Sequence, residues 1–530
     1  MRISSVIVKN HSRIADCTLD VRDSLILVGS NGSGKSSLIR CLDLLLGKTT
    51  QQLYSSISAS DFRDTESPFI VEATLTNLND DELSFFPDEI DALDGSLTIR
   101  LEAKLDDEDL IVSRYCPKGL IGHTLSFSQL KSIGWNLISS DFSASSLHRG
   151  RRTIIDEYLK KIDASGDESK LLEAVKSLCG AIDESSAFNN ALSSLALKLD
   201  SALTGGVKPS DLRFIPGAAT DGNLLSDVRL QIKNTSGIMR EATEQSDGTK
   251  ALLAFAVFDL LCTGGILAID EPETHLHPTA QRNLIRILKK AGRQLIIATH
   301  SGIVAGEFDP DNIAITREGL APKQPQRGFL KSDQKTLTRW WISSRIELLT
   351  ARCIIAVEGQ SDRMLLEKVA ELTGRHLERD GVEILEAGGC REMPHIMNIF
   401  GKAGFGIRLS ILIDADAESN LAQELTIDPD DFASNSIFVS RSDLEDEYVS
   451  AIGADALWNE LNVSTLFTPE VLRNCQTSND NGIPNEHELA AFCRKKKNKV
   501  ASAVVACNTL NSSSAQKVSS IVEVLQNVAR

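Results

Sequence analysis

Several features that would place this 530-residue chain in a familiar class are missing from it. The ten cysteines are scattered and no two form a CxxC pair, which argues against a zinc ribbon or finger and suits a reducing cytosol. The N-terminal segment has no hydrophobic signal core. The most apolar stretch, residues 251–269, is interrupted by Asp259 and by Gly264-Gly265. The sequence therefore predicts a cytoplasmic protein without a membrane span.

A basic net charge is also absent. Lys and Arg number 56 against 73 Asp and Glu, which gives a formal net charge of −17. Such a chain repels nucleic acid on average, so any DNA contact has to be local, through a basic groove or through metal ions that bridge carboxylates and phosphates. The hydrophobic fraction of 42% and charged fraction of 24% are those of a globular protein, and the length favours two or three domains.

Hydrophobic alternation divides the chain into two α/β regions. Strands of the first region are predicted at residues 1–8, 25–28, 69–77, 97–103, 212–217, 227–232, 266–270 and 295–299. A charged helical segment interrupts them, and residues 318–335, rich in Pro, Gln, Lys and Gly, are predicted as a linker. We therefore predict domains at residues 1–340 and 341–530, with a helical insertion at about 145–205 and a helical part at the end of the second domain.

The segment Gly29–Ser36 matches the phosphate-binding pattern GxxxxGK[ST] in full, between an apolar strand and a helix. Glycines let backbone N–H groups turn towards phosphate oxygens, and the helix N-terminus adds positive potential. Lys35 is predicted to reach the β- and γ-phosphates of ATP, and Ser36 to ligate Mg²⁺. The predicted nucleotide-binding residues are Asn31, Gly32, Ser33, Gly34, Lys35, Ser36, Ser37 and Asp270.

Two acids end the apolar strand at residues 266–269. Asp270 is predicted to hold Mg²⁺ together with Ser36, and Glu271 to polarise the attacking water. His300 follows the strand LIIAT and is predicted to sense the γ-phosphate, the alternative being a packed or capping side chain.

These motifs resemble the ATP-binding cassette (ABC) heads of DNA-repair and chromosome-maintenance ATPases. The resemblance implies that two heads dimerise, with a Ser-Gly-Gly motif of one subunit closing on the nucleotide of the other. Here the matching segment is Gln245–Thr249, which lacks the paired glycines. The resemblance implies an ATPase but not a fast one.

Acids also follow apolar strands in the second region. Glu358 and Asp362 come after CIIAV, and Asp414 and Asp416 stand two residues apart at the end of LSILID. Strand alternation would point the two aspartates to one side, and the carboxyl ends of parallel strands meet at one edge. Because clustered carboxylates repel each other, one or two Mg²⁺ or Mn²⁺ ions are predicted among them, an arrangement that drives phosphodiester hydrolysis. This order of acids resembles the Toprim domain of topoisomerases, primases and nucleases.

An ABC-type head followed by a Toprim domain resembles the overcoming-lysogenization-defect (OLD) family of ATP-dependent nucleases. The resemblance covers nearly the whole chain and implies that the helical insertion mediates dimerisation. It also implies a further acidic motif, here within residues 443–447, and a lysine, here within residues 494–499. The choice of acid stays open between Asp443, Glu445 and Glu447.

The candidate site residues are drawn from both motif sets. The catalytic candidates are Glu271, His300, Glu358, Asp414, Lys497 and Lys499. The candidate metal ligands are Ser36, Asp270, Glu358, Asp362, Asp414, Asp416, Asp443 and Glu445.

Three functional hypotheses remain. The first is an ATP-regulated, divalent-metal-dependent DNA endonuclease in anti-phage defence or DNA repair, with Mg²⁺ or Mn²⁺ at both sites. A topoisomerase would need a nucleophilic tyrosine, and none of the four has a helix-turn-helix context; a primase would need the zinc module that the cysteine spacing excludes. The third is an ATP-dependent DNA-binding sensor or scaffold. Expected partners are DNA, further copies of the chain in a homodimer or tetramer, and, from the resemblance, a helicase or a reverse transcriptase.

Overall fold

The computed structural model describes residues 1–106, 109–118, 124–139, 161, 167–200, 209–211, 231–233, 239–262, 265–440, 443–478 and 482–529. The chain forms two compact units. One comprises Met1–Leu137, Gly265–Glu271 and Ile285–Arg530, and the other comprises Ile138–Gly264 and Pro272–Leu284.

The elements up to residue 138 are β1 (Arg2–Lys9), β2 (Cys17–Asp20), β3 (Ser24–Val28), α1 (Lys35–Leu46), α2 (Thr50–Ser56), β4 (Phe69–Thr76), α3 (Asp80–Ser84), β5 (Leu97–Asp106), β6 (Asp109–Tyr115), α4 (Phe127–Ser132) and β7 (Trp135–Ile138). Those of residues 168–261 are α5 (Glu168–Glu184), α6 (Ser186–Asp200), β8 (Gln231–Lys233), β9 (Met239–Glu241) and α7 (Asp247–Leu261). Those of residues 266–344 are β10 (Ile266–Asp270), α8 (Pro278–Lys290), β11 (Gln294–Thr299), α9 (Gly302–Gly306), β12 (Ile313–Ile315) and α10 (Ser332–Ser344).

The remaining elements are α11 (Glu347–Thr350), β13 (Cys353–Val357), α12 (Gln360–Leu372), β14 (Val382–Glu386), α13 (Met393–Phe400), β15 (Arg408–Asp414), α14 (Glu418–Leu425), β16 (Ile437–Ser440), α15 (Leu444–Ile452), α16 (Ala454–Val463), α17 (Pro469–Leu472), α18 (Glu486–Arg494), α19 (Lys499–Thr509), α20 (Ser512–Ala515) and α21 (Ser519–Val528).

The N-terminal part of the first unit contains two five-stranded sheets. The antiparallel sheet has the order β2-β1-β4-β5-β6, and the other has the order β12-β3-β11-β10-β7, in which β12, β3, β11 and β10 run parallel. Helix α1 contacts β4 and β5 of the first sheet and β10 and β11 of the second. Its apolar side chains recur at helical spacing, as at Leu38, Leu42 and Leu45, and are buried between the sheets. The start of α1 is thereby fixed beside the ends of β3 and β10.

A four-stranded parallel sheet of order β14-β13-β15-β16 organises the C-terminal part. All five residues of β13 are buried, as expected for a strand covered on both faces. Helices α12 and α19 contact each other, and α21 contacts β15 and β16. Because the strands are parallel, the residues that follow β13 and β15 lie at the same edge of the sheet.

The predicted α/β class is confirmed. Of the predicted helical insertion, residues 168–200 form α5 and α6, while 145–160, 162–166 and 201–205 lie outside the described residues. The predicted strand at 212–217 also lies outside them. Residues 332–335 of the predicted linker instead begin α10, whose open N-terminus is satisfied where the Lys331 N–H donates to Oε1 of Gln334 at 3.0 Å. In the described part of the chain, no helix is both long and apolar enough to cross a membrane. The domain boundary at 340 stays a prediction.

Candidate functional site

The phosphate loop joins β3 to α1 and depends on its glycines. A Cβ on Gly29 would lie 2.3 Å from Oγ1 of Thr316 and 2.4 Å from Oγ of Ser33, so no larger residue fits. Gly32 and Gly34 have φ angles of 78° and 97°, in the left-handed region that glycine enters at little cost. The loop therefore has the tight turns that a backbone phosphate cradle requires.

Lys35 and Ser36, the first residues of α1, point to the places where a nucleotide and its metal would bind. The buried ammonium of Lys35 donates to the carbonyls of Gly29 and Ser30 at 2.8 and 2.9 Å, across the inside of the loop. Ser36 Oγ donates to Oδ1 of Asp270 at 3.0 Å. The two predicted Mg²⁺ ligands of the head, 234 residues apart in sequence, are thus hydrogen-bonded neighbours.

Glu271 and His300 also meet at this edge. Nε2 of His300 lies 3.3 Å from Oε1 of Glu271, and both side chains are partly exposed. Glu271 has a φ angle of 54°, which is uncommon outside glycine and is found in proteins mainly at turns and functional sites. Its N–H donates to the carbonyl of Ala298 in β11, which fixes this backbone. The geometry thus places a carboxylate and an imidazole side by side. Glu271 also directly follows Asp270, the partner of Ser36, in the sequence.

Thr316 supports the loop, and sequence reasoning missed it. Its hydroxyl contacts Oγ of Ser33 at 2.7 Å and donates to the carbonyl of Val28. The residue follows β12, and no motif marks it, because its role depends on the pairing of β12 with β3.

The acidic cluster of the C-terminal part is arranged around one lysine. Nζ of Lys499 lies 3.4 Å from Oδ2 of Asp414, 3.6 Å from Oε1 of Glu445 and 3.9 Å from Oδ1 of Asp362. These residues lie at or near the ends of four different elements, α19, β15, α15 and α12. Burial lowers the pKa of Lys499, but the charges of Asp362, Glu445 and Asp414 outweigh it and hold the pKa above that of an ordinary lysine.

Glu358 joins the cluster from the end of β13. Its Oε1 accepts the N–H of Asp414 at 3.1 Å, while Oδ1 of Asp414 accepts the N–H of Leu444 at 3.1 Å. Burial, with Asp414 and Asp362 close by, raises the pKa of Glu358 to about 7. Burial likewise raises the pKa of Glu445 to about 7 and raises the pKa of Asp414. Carboxylates that resist ionisation in this way favour an added cation.

The acids at 443–447 have separate partners. Asp443 caps α15 by accepting the N–H of Asp446 at 3.0 Å, and it also pairs with the guanidinium of Arg494. Oε2 of Glu447 accepts the N–H and hydroxyl of Ser520 at 3.0 and 2.9 Å. Of the three alternatives, only Glu445 reaches the ammonium of Lys499.

Two predicted site residues lie apart from this contact set. Strand β15 ends at Asp414, and Asp416 lies exposed in the following turn. Strand alternation therefore does not point the two aspartates to the same side. The side chain of Lys497 is exposed on the loop before α19, and the structure brings Lys499, not Lys497, to the carboxylates. Lys499 begins α19, whereas Lys497 belongs to the exposed turn before it.

The donor set fits a hard divalent cation. Mg²⁺ and Mn²⁺ prefer carboxylate oxygens, and Oε2 of Glu445 is buried without a hydrogen-bond partner among the described residues. Among the described residues, no three His, Cys, Asp or Glu side chains converge closely enough to hold an ion. The ammonium of Lys499 instead takes the contacts of Asp362, Asp414 and Glu445. The metal ligands therefore stay a prediction.

Two family models match the chain. Residues 24–305 match the AAA-domain family of the AbiEii toxin and type IV toxin–antitoxin systems, and residues 349–416 match the Toprim domain of overcoming-lysogenization-defect-like proteins. The first match spans more than half of the chain and includes the phosphate loop, Asp270, Glu271 and His300. The second includes Glu358, Asp362 and Asp414.

Two known nucleases are similar to this chain over most of their length. The chain is 23% identical to the Old nuclease of Escherichia phage P2 over 478 residues, 79% of this chain and 78% of the relative. It is 23% identical to the OLD nuclease of Thermus scotoductus over 438 residues, 74% and 78% of the two chains. The C-terminal region of the Burkholderia pseudomallei OLD protein is 21% identical, covering 34% of this chain and 97% of that one with a TM-score of 0.27. The chain therefore belongs to the AAA-domain family, and it has the predicted OLD arrangement of an ATPase head followed by a Toprim domain.

Proposed function

We propose that the protein is an ATP-regulated, divalent-metal-dependent DNA endonuclease that acts in anti-phage defence or DNA repair. The contacts of Lys499 with Asp362, Asp414 and Glu445, at the carboxyl edge of a parallel sheet, carry this proposal. The names of the relatives support it, since the phage P2 and Thermus scotoductus proteins are called nucleases and a Bacillus cereus relative, 20% identical over 421 residues, is called endonuclease GajA.

Glu358, Asp362, Asp414 and Glu445 would hold Mg²⁺ or Mn²⁺. When bound, such an ion activates water and stabilises charge on the phosphate. Asp414 is fixed by its own N–H, which donates to Glu358, and by its carboxylate, which accepts from Leu444. Lys499 supplies a fixed positive charge at the position where a phosphate would gain negative charge.

ATP binding at the head is proposed to regulate this cluster through a close packing of two helices. Helix α9 begins two residues after His300, and it packs against α10, which leads into the Toprim domain. A Cβ on Gly302 would lie 2.5 Å from the carbonyl of Ile342, and one on Gly306 would lie 2.8 Å from Cβ of Ser343. A shift of α9 would therefore displace α10 instead of being absorbed in a gap.

Helix α10 continues this connection towards the acids. The ring of Trp341 in α10 lies 5.6 Å from the ring of His395 in α13. The loop before α13 is hydrogen-bonded to the residue that follows β13, since the N–H of Gly388 donates to the carbonyl of Glu358 at 3.0 Å. These contacts run from Gly302, two residues after His300, to the backbone of Glu358, which supports regulation within one chain.

The topoisomerase alternative gains nothing from the geometry. Tyr448, the tyrosine nearest the cluster in sequence, is fully buried in α15 and has no access to a DNA strand. Tyr54 and Tyr115 belong to the head, and Tyr158 lies outside the described residues.

Self-association is proposed through the helical insertion. Leu172 and Leu178 of α5 and Phe188 of α6 are exposed by 45%, 51% and 43%, apolar side chains that a second copy would cover. Light scattering at micromolar concentration should give a dimer or larger, and a monomer with and without ATP would contradict this.

The nuclease proposal is tested with supercoiled plasmid. The purified chain is incubated with Mg²⁺ or Mn²⁺, with and without ATP, and nicked and linear products are separated by electrophoresis. We expect cleavage with either ion, none in EDTA, and a change in rate on adding ATP. Absence of cleavage under all of these conditions would contradict the proposal.

A further inference from the structure

The exposed loop between α18 and α19 forms a lysine surface, defined here as Lys495–Lys497. Nζ of Lys495 donates to the carbonyl of Asn474 at 3.2 Å and lies 5.8 Å from the ring centre of Phe492. Lys496 and Lys497 form no ion pair with any carboxylate among the described residues. In a chain with 73 acids and 56 bases, these two ammonium groups are left for an external anion.

The loop backbone is fixed. Asn498 is buried and its Nδ2 donates to the carbonyl of Phe492 at 2.9 Å. The N–H groups of Asn498 and Lys499 both donate to the carbonyl of Lys495, at 2.7 and 3.0 Å. The backbone that carries the lysine surface is therefore held in one position, which lowers the entropic cost of binding an anion there.

The lysine surface adjoins the acidic cluster. Lys497 precedes Lys499 by two residues, so their Cα atoms are at most about 7.6 Å apart. On the other side of the loop, Arg494 is occupied by Asp443 and Asp446. Cations of one short segment thus divide between two roles: Arg494 and Lys499 neutralise acids, and the lysines between them face solvent.

We infer that Lys496 and Lys497 bind backbone phosphates of DNA next to the phosphate held at the cluster. The inference rests on the proposed nuclease function. A protein of net charge −17 repels DNA on average, and the carboxylates of the cluster repel the phosphates that flank the reacting one. Local ammonium groups offset that repulsion, and they recognise the backbone without reading the base sequence.

The test measures binding of a fluorescent DNA duplex in Ca²⁺, which occupies carboxylate sites without supporting much turnover. The variant Lys496→Gln/Lys497→Gln is compared with Lys9→Gln/Lys402→Gln, which removes the same charge from exposed lysines elsewhere. We expect the first variant to weaken binding about tenfold. The slope of log affinity against log salt should fall by about 0.9 for each lost phosphate contact. The control pair should keep the wild-type salt slope and an affinity within about twofold of wild type.

The outcomes are distinguishable. If wild type nicks plasmid but the Lys496→Gln/Lys497→Gln variant keeps the wild-type affinity and salt slope, the surface is merely solvated and this inference alone is wrong. If wild type neither nicks nor binds duplex, the proposed nuclease function itself fails. Thermal unfolding checks folding, and if the double variant is destabilised, Lys496→Gln and Lys497→Gln are compared singly.

Discussion

Glu445 and Glu447 stand two residues apart on α15, yet their carboxylates lie in different surroundings. Oε1 of Glu445 lies 3.6 Å from the ammonium of Lys499, whereas Oε2 of Glu447 accepts two hydrogen bonds from Ser520. The first environment is the acidic cluster around Lys499, and the second joins α15 to the start of α21.

This difference predicts that replacing glutamate by glutamine affects the nicking rate at position 445 and the stability of the fold at position 447. Glu445→Gln should lower nicking by orders of magnitude without lowering the unfolding midpoint, because a buried acid with a raised pKa loses a charge that the fold does not need. Glu447→Gln should destabilise the fold by about 1–3 kcal/mol, because a charged acceptor is lost from a buried contact. Nicking rates and thermal unfolding of both variants measure this, and equal behaviour of the two would contradict it.

From the geometry of the ATPase head we expect that separate substitutions abolish nucleotide binding and nucleotide hydrolysis. Lys35→Ala should abolish ATP binding, because the ammonium inside the phosphate loop is lost. Glu271→Gln should bind ATP but release phosphate at least about 100-fold more slowly, because the water loses its polarising acid. Equilibrium binding and phosphate release test both, and full hydrolysis by Glu271→Gln would show that its assigned role is wrong.

The packing of α9 on α10 predicts that ATP regulation can be lost by adding one methyl group. Gly306→Ala places a Cβ 2.8 Å from Cβ of Ser343, whereas a Cβ on Gly180 in α5 meets nothing within 4 Å. We expect Gly306→Ala to retain ATP hydrolysis while nicking no longer responds to ATP, and Gly180→Ala to behave as wild type. An unchanged ATP response in Gly306→Ala would contradict regulation through this contact.

His11 predicts a loss of stability in acid. Burial lowers the pKa of His11 to about 4, and its Nε2 has no hydrogen-bond partner among the described residues. In the unfolded chain the imidazole binds its proton near pH 6.5. The free energy of unfolding is therefore unaffected by His11 above pH 6.5, and it decreases by about 3 kcal/mol as the pH falls towards 4. Denaturant unfolding from pH 7 to 4.5 should show a smaller decrease for His11→Gln than for wild type. Parallel curves would contradict this.

The sequence was informative where a motif is local. The conformation of the phosphate loop depends on consecutive residues, since the glycines and Lys35 lie within one short segment. Asp270 and Glu271 likewise stand directly at the end of an apolar strand. The carboxyl edge of the second parallel sheet could likewise be predicted, because buried parallel strands have continuous apolar sequences.

Residues whose placement depends on distant packing could not be assigned. Lys499 and Lys497 are alike in sequence, and only the packing of α19 against α12 turns one towards the acids. Thr316 reaches the phosphate loop only through the pairing of β12 with β3. Asp416 looked equivalent to Asp414 because the pattern does not reveal where β15 ends.

The most direct test of the nuclease account is the nicking rate of Asp414→Ala, measured with ATP hydrolysis on the same preparation. Asp414 contacts Lys499 and is fixed by Glu358, and it belongs to a different sheet from the phosphate loop. The account predicts that nicking falls by orders of magnitude while ATP hydrolysis stays near wild type. Plasmid cleavage by Asp414→Ala at the wild-type rate would contradict it, because the cut would then come from another site.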